Sequence, residues 1–240
     1  MTIDQWVSIS ASIGACLSAI AALFAVKLSS KHSRASYKPE LVISKKPFKS
    51  SATSSDAPTD WLEIDDEENS DTHKRSYFSL PLSNVGLGAA KQIEVNWSFP
   101  IESMVKSVNK ITQENHIQAY FKYDNGMLSY DTESGKKSVS VWRNQKESKL
   151  DFVLPSSVES NSSELFLPPA YIQLVSAVIY FYFQNDRKEQ FPDLPNIQAK
   201  VSYFDIGGKK HTCKFELSTE IAMITGNGSE FQGYIESKNA

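Results

Sequence analysis

The stretch Tyr77-Phe-Ser-Leu-Pro-Leu-Ser-Asn-Val-Gly-Leu-Gly-Ala-Ala-Lys-Gln-Ile-Glu-Val-Asn-Trp97 decides the fold class. Phe78, Leu80 and Leu82 alternate with Tyr77, Ser79 and Pro81, and beyond the glycines Ile93, Val95 and Trp97 alternate with polar residues. Period-two patterning on both sides of a glycine break reads as strand, turn, strand, a hairpin. Gly86 and Gly88 are the structural turn residues, and the turn is expected to need positive φ at one of them. The same glycines do not make a phosphate loop. That loop needs four residues between its glycines and a following Gly-Lys-Ser/Thr, so that successive amides cradle phosphate.

Working outward, short strand-like runs recur: Leu41 to Ser44, Ala119 to Tyr123, Met127 to Tyr130, Ser138 to Trp142 and Leu150 to Leu154. Asn125-Gly126 and Ser134-Gly135 punctuate them. Ala199 to Asp205 and His211 to Leu217 flank a second turn at Gly207 and Gly208. Ile101, Met104, Val105 and Val108 fall at i, i+3, i+4 and i+7 after Pro100, which marks one short amphipathic helix. Many short strands with closely spaced turns predict a mainly β chain, an antiparallel β-sandwich with one or two short helices.

Two uncharged runs stand out. Trp6 to Val26 has 21 residues, which as a helix spans ~32 Å, close to the ~30 Å of a bilayer's hydrocarbon core. Trp6 at one end and Lys27, Lys31 and Arg34 after the other fit the two membrane interfaces. Lysine and arginine follow the run and none precedes it, so the positive-inside rule places the N-terminus outside and the remaining chain in the cytoplasm, at an inner membrane. Ser10, Gly14, Ser18, Ala21 and Ala25 form a small-residue stripe, a face suited to helix association and hence to a homo-oligomer in the bilayer. The second run, Leu165 to Phe183, has 19 residues but is cut by Pro168 and Pro169. Its β-branched and aromatic end, Val178 to Phe183, reads as a core strand after a turn of helix, with a second span as the alternative.

These readings divide the chain into an anchor (1–28), a basic linker and acidic loop (29–74), a sandwich (75–225) and a C-terminal tail (226–240). Lys49 to Thr72 reads mostly as loop, and its acidic run lacks the glycine and spaced oxygen ligands of a calcium site. The net charge of −3 argues against nucleic acid as a partner. The partners expected are the lipid bilayer, a second copy of the chain and a cytoplasmic protein. Cys16 and Cys213 fall in different environments and cannot pair, as a reducing compartment permits. His211 and Cys213 share a strand face but lack further ligands for zinc, and no nucleophile elbow is present. No cofactor, catalytic residue or metal ligand is expected, and the patterns lean away from an enzyme, with a membrane-tethered scaffold or ligand-binding module and an enzyme of unrecognised active site as the alternatives.

The run Ser83-Asn-Val-Gly-Leu-Gly-Ala-Ala-Lys-Gln-Ile-Glu-Val95 resembles an Asn-x-Gly-x-Gly-x-Ala element in uncharacterised bacterial proteins, where one N-terminal span precedes a β-sandwich. The layout is also similar to membrane effectors of antiphage defence, including those that accompany retrons. The likeness in layout implies an effector by analogy and carries no site residues with it, and the small-residue stripe with the lack of catalytic motifs makes that effector non-enzymatic.

Overall fold

Alternating burial along the strands follows the alternation in the sequence. In the segment Ala90–Ser98, Ile93, Val95 and Trp97 are buried while Lys91, Glu94 and Ser98 are exposed. The computed structural model describes residues 3–51, 60–63, 78–132, 137–184 and 191–239. In chain order the elements are α1 (Ile3–Ser36), β1 (Leu41–Ile43), β2 (Lys46–Ser51), β3 (Ser79–Asn84), β4 (Ala90–Ser98) and α2 (Ile101–Glu114). Then come β5 (Ala119–Asp124), β6 (Met127–Thr132), β7 (Lys137–Ser140), α3 (Trp142–Gln145), β8 (Glu147–Val153) and β9 (Ser163–Phe166). The chain closes with α4 (Pro169–Phe183), β10 (Ile197–Phe204), β11 (Lys210–Thr225) and β12 (Glu230–Asn239). The fold is mainly β and antiparallel, as the patterning predicts.

One sheet has the order β2-β12-β11-β10-β4-β8, a second β1-β3-β9 and a third β5-β6-β7. β3 and β4 therefore lie in different sheets. The glycine stretch between them is not a hairpin but the corner where the chain crosses from one sheet to the other. Neither Gly86 nor Gly88 has positive φ. The second turn is a hairpin as expected: β10 and β11 pair from Ile197↔Leu217 to Phe204↔Lys210, with Gly208 at φ +80°.

Three boundaries move. Residues 226–240 are not a tail, because β12 lies between β11 and β2 and extends to Asn239. The folded domain also starts earlier than residue 75, since β1 and β2 belong to the sheets. Within the supposed loop Lys49 to Thr72, Trp61 is fully buried, its ring stacked on Phe48 at 3.9 Å. Most of the acidic run, residues 64–71, lies outside the described residues.

The run ending in Phe183 begins with the last two residues of β9, and its end, Val178 to Phe183, is neither a strand nor a span. It is part of α4, a 15-residue helix buried on every side from Ala170 to Phe181. Its length of ~22 Å falls short of the hydrocarbon core. Pro169 occupies the first helical position, where the missing N–H costs nothing. Its polar atoms find partners inside. Tyr171 OH lies 2.9 Å from Thr219 Oγ1 and donates to Pro195 O, and Ser176 Oγ accepts from Trp61 Nε1 at 2.9 Å. Tertiary packing overrides the β propensity of Val178 to Phe183. Helix α2 and the third sheet contribute to this core: Asn115 donates to Phe181 O, and Phe121 meets Phe181 edge-on at 6.4 Å.

Helix α1 is the opposite case. Every one of its described side chains is exposed. The stretch Ser12–Ser30 is long and apolar enough to cross a membrane. The helix continues to Ser36, so residues 29–36, expected to be linker, are helical.

Candidate functional site

The chain leaves α1 at Ser36 and enters β1 at Leu41, and the four residues between are held by the corner that joins β3 to β4. Asn84, the last residue of β3, is fully buried. Its amide makes every hydrogen bond a side-chain amide can make. Nδ2 donates to Gly88 O at 2.7 Å and to Val153 O at 3.2 Å. Oδ1 accepts from Glu40 N at 3.0 Å and Gly86 N at 3.1 Å. One side chain thus ties together the glycine corner, the end of β8 and the segment that follows α1.

The glycines explain the rest of the seat. A Cβ on Gly86 would collide with the backbone of Lys38, Pro39 and Glu40, and one on Gly88 would collide with the Tyr37 carbonyl. Both positions need glycine for close backbone approach rather than for a left-handed conformation. Val85 N donates to Glu40 O at 2.9 Å, and Tyr203 OH donates to Pro39 O at 3.1 Å. Residues 37–40 are thereby hydrogen-bonded to both β3 and β10.

Behind Tyr203 lies a small polar cluster. Its ring stacks on His211 at 5.4 Å, and His211 Nε2 lies 2.9 Å from Asp205 Oδ2. That hydrogen bond, helped by the Lys209 amide, holds the Asp205 carboxyl below the usual carboxylate range. Burial pushes the Tyr203 phenol up to about 12. Cys213 shares the face of His211, as its spacing predicts, and completes a set that resembles Cys, His and Asp of nucleophilic catalysis. Its thiol, however, faces Val201 O at 3.9 Å, and burial pushes it up to about 11. A nucleophilic cysteine needs the reverse shift. His211 is half-buried and engaged by Asp205. No group of three metal-ligating side chains occurs among the described residues.

Beside the cluster, Lys91, Gln92, Asp151, Phe152, Phe204 and Gly208 line a shallow, open groove of about 690 Å³. Gln92, at φ 50°, marks a bulge in β4 opposite β10 at this point.

The other expected site residues are dispersed. Gly14, Ser18, Ala21 and Ala25 are exposed on α1, and a Cβ at Gly14 would meet nothing. Trp6 and Lys27 are exposed near the ends of the apolar run. The side chains of Ser10, Lys31 and Arg34 lie outside the described residues. Gly207 and Gly208 sit in the β10–β11 turn, where Asp205 Oδ1 accepts from Lys209 N at 2.9 Å. Sequence reasoning found the glycine corner but missed Asn84 as its partner, Tyr203 as the partner of Pro39 and Asp205 as the partner of His211. The signal for Asn84 was its place two residues before the first glycine.

Compared with known proteins, the chain matches no family model, no curated protein and no solved structure.

Proposed function

We propose that this chain is a membrane-tethered, non-catalytic effector or binding protein whose sandwich moves with its span. The observation that carries the reading is the seat for residues 37–40. Asn84, Tyr203 and two glycines grip the chain directly after α1, so a partner bound to the sandwich, or a second copy beside it, bears on the helix. A loose tether would need no such seat.

On this reading α1 crosses an inner membrane with the sandwich in the cytoplasm, the side its flanking lysines and arginine favour. The exposed stripe through Gly14 and Ser18 then associates copies of the helix, and clustering perturbs the bilayer, as the resemblance to antiphage effectors implies. The test is expression of the full chain in bacteria, scoring growth and dye uptake. Wild type should slow growth and admit dye, and Gly14→Leu and Ser18→Leu should remove both effects while the protein stays in the membrane fraction. Full toxicity of a chain lacking α1 would contradict the effector reading. Stripe variants without effect, together with co-purification of a cytoplasmic protein, would favour a plain tethered binding module instead.

A further inference from the structure

The end of the sandwich from which α1 departs carries exposed apolar side chains on three separate segments. Val85 and Leu87 flank Gly86 in the glycine corner and are 55% and 59% exposed. Ile206, at the tip of the β10–β11 turn, is 56% exposed, and Phe152, near the end of β8, is 57% exposed. The segments are neighbours. Val85 is bonded to Glu40, Tyr203 at the end of β10 reaches Pro39, and Phe152 and Gly208 line one groove. Single exposed apolar residues are ordinary, but several gathered on the turns of one end need an occupant.

The chain itself points to that occupant. Residues 37–40, which follow the anchor helix, are seated in this corner. The stretch of α1 that is long and apolar enough to cross a membrane, with Lys27 near its end, stops at Ser30, and the helix stops at Ser36. Six residues, about 9 Å of helix, separate them. One side of a bilayer has a polar region of roughly 5 to 8 Å outside the hydrocarbon core. The turns therefore stand at the outer edge of the lipid head groups. Lys38, Lys91, Lys209 and Lys210 are exposed around them. The acidic groups there are the exposed Glu40 and Asp151, and Asp205, which His211 engages.

We propose that this end of the sandwich is a lipid-facing surface: Val85, Leu87 and Ile206 enter the head-group region of the bilayer that α1 crosses, and the lysines lie among lipid phosphates. Apolar tips ringed by lysine suit such a boundary, because the rings and branches leave water while the ammonium groups reach phosphate. The proposal rests on the membrane reading above, and it adds a second contact that fixes how the sandwich sits on the membrane.

The test uses the full chain with Cys16→Ser and Cys213→Ser, reconstituted at one copy per nanodisc of phosphatidylcholine and phosphatidylglycerol. Nitroxide labels go on Leu87→Cys, Ile206→Cys, Leu23→Cys in the span and Met223→Cys. Met223 lies 13 residues along β11 from Lys210, about 40 Å away at strand spacing. Collisions with a water-soluble nickel complex should be several-fold rarer at positions 87 and 206 than at 223, and rarest at 23. Shielding at 23 with water access at 87 and 206 equal to that at 223 would overturn the lipid-facing surface and leave the span intact. Water access at 23 as well would overturn the membrane reading and this inference together. Shielding at 87 and 206 that appears only with two copies per disc would show a protein contact in place of lipid, and would overturn it too.

Discussion

Two uncharged runs of similar length meet opposite ends in this molecule. Trp6 to Val26 forms part of a helix with every described side chain exposed, whereas Leu165 to Phe183 supplies α4, buried on all sides. Hydrophobicity does not separate them. What does is length and polar chemistry. α1 is long enough to cross a bilayer and carries a serine that bonds its own helix, Ser12 to the Ser8 carbonyl. α4 is too short and carries Tyr171 and Ser176, whose hydroxyls find partners on Thr219 and Trp61. An apolar run with polar groups that need distant partners belongs to a core, and one whose polar groups are satisfied within the helix can stand in lipid.

A charge placed in each helix breaks the comparison most sharply. Ala177 is fully buried, so Ala177→Arg should cost more than about 4 kcal/mol and abolish cooperative unfolding in a thermal melt. The α1 variant Ala21→Arg should leave the sandwich's melt unchanged and instead move the protein out of the membrane fraction. An unchanged melt for Ala177→Arg would mean that α4 does not form the core.

The seat comes next in size. Asn84→Asp keeps the shape but sets carboxylate oxygens against the carbonyls of Gly88 and Val153, which now accept from Nδ2. Two lost donors and a buried charge should lower stability by about 3 kcal/mol, read from urea midpoints. Loss below about 0.5 kcal/mol would show that the amide network does not hold the corner.

A smaller effect is confined to alkaline pH. Burial pushes the Tyr171 phenol up to about 12, above its unfolded value near 10. A raised folded-state pKa gives stability that is complete below pH about 10 and is lost as pH rises through 12. Wild-type melting temperature should fall more steeply across that window than that of Tyr171→Phe, which at neutral pH costs only about 1 kcal/mol for the lost hydrogen bonds. The slope left in the variant belongs to Tyr203, also raised to about 12, and to Cys213, raised to about 11. Equal slopes would remove Tyr171 from the account. Smallest of all, Gly14→Leu should change sandwich stability by less than about 0.5 kcal/mol, because a Cβ there meets nothing.

Local patterns were legible where the physics is local. The alternation of Ile93, Val95 and Trp97, the helix from Ile101 and the Gly207-Gly208 hairpin all stand as their periodicity predicts. The corner at Gly86 and Gly88 was recognised as a turn, but not as a passage between sheets. Its requirement for glycine comes from Tyr37 to Glu40, 46 to 51 residues earlier, and no window around the turn contains them. Trp61 was hidden for the same reason, since its partner Ser176 is distant in sequence. α4 misled because Val178 to Phe183 favours a strand by propensity, and only the surrounding core decides otherwise. At the candidate site the glycines could be read, while Asn84, Tyr203 and Asp205 act through contacts that only folding creates.

The most direct test of the central claim, that the sandwich grips the chain leaving α1, is a spin-label distance between Leu28→Cys on α1 and Lys200→Cys on β10. It is measured by pulsed EPR in nanodiscs on the full chain with Cys16→Ser and Cys213→Ser. The account predicts one narrow distance distribution that broadens when Gly88→Ala forces Tyr37 from its seat. A distribution already broad in the parent and unchanged by Gly88→Ala would contradict it.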